Sequence, residues 1–191
     1  MKHVSLLPDW VNVAFLAAQL EQNPDLWDSR TLRTSIPGGP FDGTSDIWLR
    51  YRDPSEVKEP KQWNEPHEAV WYPEAQPLSA AKVIARKLCE RMGMNKLGGV
   101  LITRIPPGGE VKWHTDKGGW HAHHYDRKVY VVIQGNDQCV NYFEDEQVIM
   151  RTGEAWLFDN LVRHRVLNHG DEPRVSLIVC MRKESDHVSA A

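Results

Sequence analysis

From about residue 97 to the end of the chain, short runs of alternating or continuous apolar residues follow one another, each cut off by turn residues. The runs cover 99–105, 109–114, 128–134, 138–143, 147–150, 155–158, 164–167 and 174–181. Period-two alternation with Val, Ile, Leu, Trp and Phe marks β-strands. The separators Pro106-Pro107-Gly108-Gly109, Gly135-Asn136-Asp137, Glu144-Asp145, Thr152-Gly153 and Asn168-His169-Gly170-Asp171 carry turn chemistry. Eight short strands with no helix between them predict two packed antiparallel sheets, a mainly β jelly roll.

The first half has a different texture. Asp9 is placed to cap a helix over 9–22, whose Val13, Leu16, Ala17 and Leu20 form one stripe. Ser79 is placed to cap a second helix over 79–92, with Ala81, Ile84, Leu88 and Met92 on one face and Gly93 as the stop. Between them, 36–77 is rich in Pro, Gly and charge, with one strand candidate at 46–51. The chain therefore reads as one domain, with a helical and loop-rich cap over 1–95 packed on a β core over 96–183.

Composition narrows the function classes. A formal net charge of −3 carries no basic signature and weighs against duplex nucleic acid as a partner. The three cysteines, Cys89, Cys139 and Cys180, are widely spaced and lack a Cys-x-x-Cys pair, so reduced core thiols are expected. No apolar stretch is long enough to span a bilayer, and the stretch at 11–18 is amphipathic and unlike a signal peptide. The expectation is a soluble, cytoplasmic protein. Eight tryptophans are many for 191 residues, and five of them fall at Trp10, Trp27, Trp48, Trp63 and Trp71. Most are expected to build core.

The candidate chemistry lies in His114-Thr115-Asp116 and in His164, fifty positions later. On extended backbone, residues two apart project to the same side, and a histidine from a distant strand completes a triangular face. Two imidazoles and one carboxylate leave three metal positions open, as ferrous oxygenases require. A His-x-Asp alone is common. Its weight comes from Arg174 and Ser176, ten and twelve residues beyond His164, which share one face at the start of an apolar strand and can grip a carboxylate. His169 is a rival distal ligand, but it sits in a Gly-Asp turn.

At Trp113-His114-Thr115-Asp116, Gly153-Glu154-Ala155-Trp156-Leu157-Phe158-Asp159-Asn160, His164-Arg165-Val166-Leu167-Asn168 and Glu172-Pro173-Arg174-Val175-Ser176-Leu177-Ile178-Val179, the sequence resembles the aspartyl/asparaginyl β-hydroxylase-like branch of the 2-oxoglutarate oxygenases. The resemblance covers roughly 98–182 and more faintly 45–52. It implies a double-stranded β-helix of the cupin-like kind, with Fe(II) on His114, Asp116 and His164. It also implies 2-oxoglutarate bound through Arg174 and Ser176, with dioxygen as co-reactant. Where the family often shows Arg-x-His, this chain has Lys128-Val129-Tyr130, which makes Lys128 and Tyr130 candidates for the cosubstrate. The implied reaction is hydroxylation of a C–H bond in an amino-acid side chain of a peptide or protein, or in a free amino acid. The loop at 117–126 carries His121, His123 and His124, whose position beside the triad suits a lid or a substrate-contacting loop. Two other classes stay open: a cupin-type metalloenzyme that does not use 2-oxoglutarate, and a non-catalytic jelly-roll binding module.

Overall fold

A computed structural model describes residues 1–116 and 125–184. In chain order its elements are β1 (Val4–Leu6), α1 (Ala14–Gln22), β2 (Ser45–Arg52), β3 (Ala69–Trp71), α2 (Ser79–Arg91), β4 (Lys96–Ile105), β5 (Glu110–His114), β6 (Arg127–Gln134), β7 (Cys139–Phe143), β8 (Gln147–Ile149), β9 (Ala155–Phe158), β10 (His164–Asn168) and β11 (Arg174–Arg182). They form a seven-stranded sheet, β1-β9-β6-β11-β4-β2-β3, and a four-stranded sheet, β5-β10-β7-β8, antiparallel throughout. The result is the two-sheet jelly roll expected from the strand pattern, the double-stranded β-helix that the family resemblance implies.

Strand alternation decides what each face of the larger sheet does. Ile47 and Leu49 of β2, Val100 and Ile102 of β4, Val129 and Val131 of β6, and Leu177, Val179 and Met181 of β11 point one way. They pack against Val13, Leu16 and Leu20 from α1 and its lead-in, and against Ala81, Ile84, Ala85 and Leu88 of α2. The opposite face carries Asp46 and Trp48, Leu101 and Thr103, Lys128 and Tyr130, and Arg174, Ser176, Ile178 and Cys180. Because both faces are covered, β11 reads as a nearly continuous apolar run, and its two buried polar residues, Arg174 and Ser176, stand out on the inner side.

The helices begin differently from expectation. α1 starts at Ala14, and Asp9 does not cap it. The Val11 amide donates to the Gly153 carbonyl, which keeps the lead-in extended, and Asn12 Oδ1 accepts from the Ala14 amide while Asp9 pairs with Arg91. Ser79 is the first residue of α2 and not its cap. Its hydroxyl accepts from Gln19 Nε2, and the Ala80 amide donates to Gln19 Oε1, so a carboxamide from α1 satisfies the start of α2. Gly93, at φ +66, ends the helix as expected.

The segment before residue 96 also contributes strands: β2 lies within the larger sheet, β1 pairs with β9, and β3 pairs with β2. All three cysteines are free and buried. Among the described residues no helix is long and apolar enough to cross a membrane.

Candidate metal centre and adjoining chamber

β5 and β10 pair antiparallel with His164 directly opposite His114, which brings the two rings to a centroid distance of 4.3 Å. Asp116 follows just past the end of β5, where its amide donates to the Asn160 carbonyl at 3.0 Å and fixes the turn. One ligand atom from each of His114, Asp116 and His164 lies within 4.8 Å of the other two. Among the described residues this is the only such group of three. His169, the rival, is not part of it.

The histidines are prepared for coordination. His114 Nδ1 lies 2.8 Å from the Lys112 carbonyl and His164 Nδ1 lies 2.7 Å from the Val162 carbonyl. A carbonyl oxygen only accepts, so each Nδ1 carries the proton and each Nε2 keeps its lone pair for a metal. Burial lowers both histidine pKa values; that of His164 falls to about 4 through burial and the neighbouring His114, so the rings are neutral near pH 7. Burial alone would raise the Asp116 pKa, but the Lys128 ammonium outweighs it and holds the carboxyl well below the usual range. The donor set is therefore two neutral imidazoles and one carboxylate, which suits ferrous iron with three open positions.

Behind the histidines lies a chamber lined by Tyr130, Asn141, Arg174 and Ser176, with His114 and His164 at one end. Arg174 is 2% exposed. Its neighbours are neutral: Nη1 donates to Asn141 Oδ1 at 3.5 Å, and the other contacts are the Cys139 and Met150 sulfurs. Its Nε is buried with no hydrogen-bond partner, and among the described residues no carboxylate pairs with it. A buried guanidinium without a counter-ion costs several kcal/mol, about 3–5 by the effect of stripping a partner from a buried pair. An anionic ligand in the chamber would remove that cost. The chamber thus fits the far carboxylate of a dicarboxylic cosubstrate.

On the other side of Asp116 a cleft of about 600 Å³ opens, walled by Trp48, Tyr51, Trp63, Leu101 and Ile178, with Asp116 and Lys128 at its floor. Trp48 belongs to a buried cluster with Tyr51 and Tyr72, against which Trp63 packs, and both tryptophans also line this cleft. Lys128 lines this cleft and not the inner chamber, and it donates to Asp116 Oδ2.

Arg33 went unnoticed in the sequence. It lines both cavities, binds the fully buried Asp46 through two hydrogen bonds of 2.7 and 3.0 Å and donates to Thr103. Its guanidinium also lies 3.8 Å from the centre of the Phe41 ring, which meets His114 edge-on. A lone arginine in a loop gave no signal; an isolated acid at the start of the 46–51 strand was the only clue. The histidines at 121, 123 and 124 lie outside the described residues.

A family model described as aspartyl/asparaginyl β-hydroxylase matches residues 72–184. The chain belongs to this family. As a member of the hydroxylase family it is an oxygenase. No curated protein matches the chain. Among solved structures it is similar to a 2OG-Fe(II) oxygenase family protein from Burkholderia pseudomallei, at TM-score 0.59 and 14% identity over 95% of this chain and 86% of that one. It is also similar to a viral collagen prolyl hydroxylase from Paramecium Bursaria Chlorella virus-1, at TM-score 0.57 and 10% identity over 96% and 97% of the two chains. A third is a prolyl-4-hydroxylase from Pseudomonas putida, at TM-score 0.53 and 17% identity over 95% and 93%. At these identities the structural likenesses establish the fold of the hydroxylase.

Proposed function

We propose that the protein hydroxylates a C–H bond of an amino-acid side chain, in a peptide or protein or in a free amino acid, using Fe(II), 2-oxoglutarate and dioxygen. His114 Nε2, His164 Nε2 and the Asp116 carboxylate hold the iron. Arg174 and Ser176 receive the far carboxylate of 2-oxoglutarate, and Tyr130 walls the same chamber. The iron with its cosubstrate supplies the oxidising power that no side chain has. The protein supplies placement. The Lys112 and Val162 carbonyls orient the imidazoles, and the inner chamber sets the depth at which the cosubstrate sits. The aromatic cleft presents the prime substrate above Asp116 and limits water there.

The observation that carries this reading is the unpaired, buried Arg174 in a chamber shared with both metal histidines. A metalloenzyme without an anionic cosubstrate has no use for a buried cation in that position. A cleft of about 600 Å³ is within the range, roughly 300–1,000 Å³, that holds a ligand larger than one amino acid. That size favours a peptide, as does the fold it shares with a collagen prolyl hydroxylase.

The test is to supply the protein with Fe(II), 2-oxoglutarate and air, together with panels of blocked peptides and of free amino acids. Succinate is followed by NMR and oxygen incorporation by mass spectrometry. Succinate formed in step with one oxidised peptide supports the proposal. No 2-oxoglutarate consumption with any substrate class, by protein that holds iron, would reject it.

A further inference from the structure

The two oxygens of Asp116 have different neighbours. Oδ1 faces His114 Nε2 at 3.6 Å, on the side where the imidazoles converge, and Oδ2 is taken by the Lys128 ammonium. Lys128 is 9% exposed and is held by strand pairing, with Cys180 of β11 opposite it and the Tyr130 ring centre 5.4 Å from its Nζ. Burial raises the Cys180 thiol to about 11 and also raises the Tyr130 phenol, so both neighbours are neutral. Among the described residues the only carboxylate paired with Lys128 is Asp116.

We propose that Lys128 is a positioning residue of the metal centre: it holds Asp116 Oδ2 so that Oδ1 alone meets the metal, and its charge keeps the affinity for divalent cations below that of the bare triad. The proposal rests on the reading of His114, Asp116 and His164 as metal ligands. A carboxylate that bound through both oxygens would close one of the three positions that the cosubstrate and dioxygen need. With Oδ2 held, the carboxylate contributes one oxygen and the face stays open. The charge effect has a definite sign. A buried ammonium beside a divalent ion repels it, and by pairing with Asp116 it stabilises the metal-free protein. Both effects weaken metal binding. Without Lys128, a buried carboxylate would be left whose natural counter-charge is the metal.

The direct test measures Mn(II) dissociation constants by EPR of the free ion, for the wild type and for Lys128→Met, Lys128→Gln and Lys128→Arg. Met and Gln both remove the charge, and Gln keeps an N–H donor. Both variants are expected to bind Mn(II) more tightly, by about tenfold or more, with Arg returning toward the wild-type value. The thermal midpoint of Lys128→Met is expected to drop without metal and to recover on adding Mn(II). The visible band of the anaerobic Fe(II)–2-oxoglutarate complex should weaken in Met and persist in Gln, because Gln still holds Oδ2.

Mn(II) binding in Met and Gln that is equal to or weaker than wild type overturns the proposal. A raised 2-oxoglutarate dissociation constant without tighter Mn(II) binding also overturns it, since that marks a cosubstrate contact. So does a Met variant that stays unfolded with Mn(II) present. A wild-type protein that takes up neither Mn(II) nor Fe(II) would instead refute the triad reading on which the proposal stands.

Discussion

His114 and His164 are direct cross-strand partners, and each ring is turned by a hydrogen bond from Nδ1 to the carbonyl two residues before it. The two imidazoles are thus oriented by backbone hydrogen bonds, while Asp116, just past the end of β5, is fixed by a turn and by Lys128. Removing the carboxylate leaves the imidazoles their backbone hydrogen bonds but strips the buried Lys128 ammonium of its carboxylate partner.

Asp116→Ala is therefore expected to lose succinate formation and about 3–5 kcal/mol of folding stability, because the Lys128 ammonium is left buried without its partner. Its metal affinity should fall more than about 100-fold, beyond the cost of losing an outer-shell partner. Calorimetric titration with Mn(II) and a succinate assay check this together. Undiminished succinate formation would contradict the assignment of Asp116.

Arg174→Met separates ligand binding from stability. Removing a charge-assisted grip on a carboxylate should cost about 2–5 kcal/mol of binding, raising the 2-oxoglutarate dissociation constant roughly 30-fold or more. Folding stability should be unchanged or should rise by about 1–4 kcal/mol, because an unpaired buried cation is replaced by an apolar chain of similar length. Urea denaturation and ligand titration on the same variant give both numbers.

The Arg33–Asp46 pair should behave in the opposite way. Asp46 is fully buried, and the Arg33 side chain is 19% exposed. Asp46→Asn leaves the guanidinium without its counter-charge, at an expected cost of about 3–5 kcal/mol. A loss below about 1 kcal/mol in denaturant titration would show that the pair contributes only as a surface bridge does.

Gly98→Ala tests the packing beside the site. A methyl group added there would collide with the Tyr125 ring, whose hydroxyl accepts from the Gly99 amide. Displacing the ring should cost about 1–3 kcal/mol, read as a lower urea midpoint.

The legible and illegible parts of this protein differ in kind. The strand over 155–158 is found where alternation put it, and β10 and β11 differ from expectation only at their ends, because alternation is enforced by the layer on either side. Arg174 and Ser176 were visible because polar residues are conspicuous in an apolar strand. β1 is three residues long and exists by pairing with β9, far away in sequence, so no local pattern announces it. Asp9 looked like a cap, but the Val11–Gly153 hydrogen bond delays the helix until Ala14. Arg33 matters through Asp46, Thr103 and Phe41, a grouping that tertiary structure alone creates. Lys128 was expected at the cosubstrate because of its place in the family pattern, and its contact with Asp116 is a tertiary one that no local pattern announces.

The most direct measurement is anaerobic addition of Fe(II) and then 2-oxoglutarate to the metal-free protein, followed by visible absorption. One iron per chain is expected, with a weak charge-transfer band that appears only when both are present and is lost in Arg174→Met. Iron binding with no band would contradict the role given to 2-oxoglutarate and favour a metalloenzyme that does not use it. No iron binding at all would contradict the His114, Asp116 and His164 centre itself.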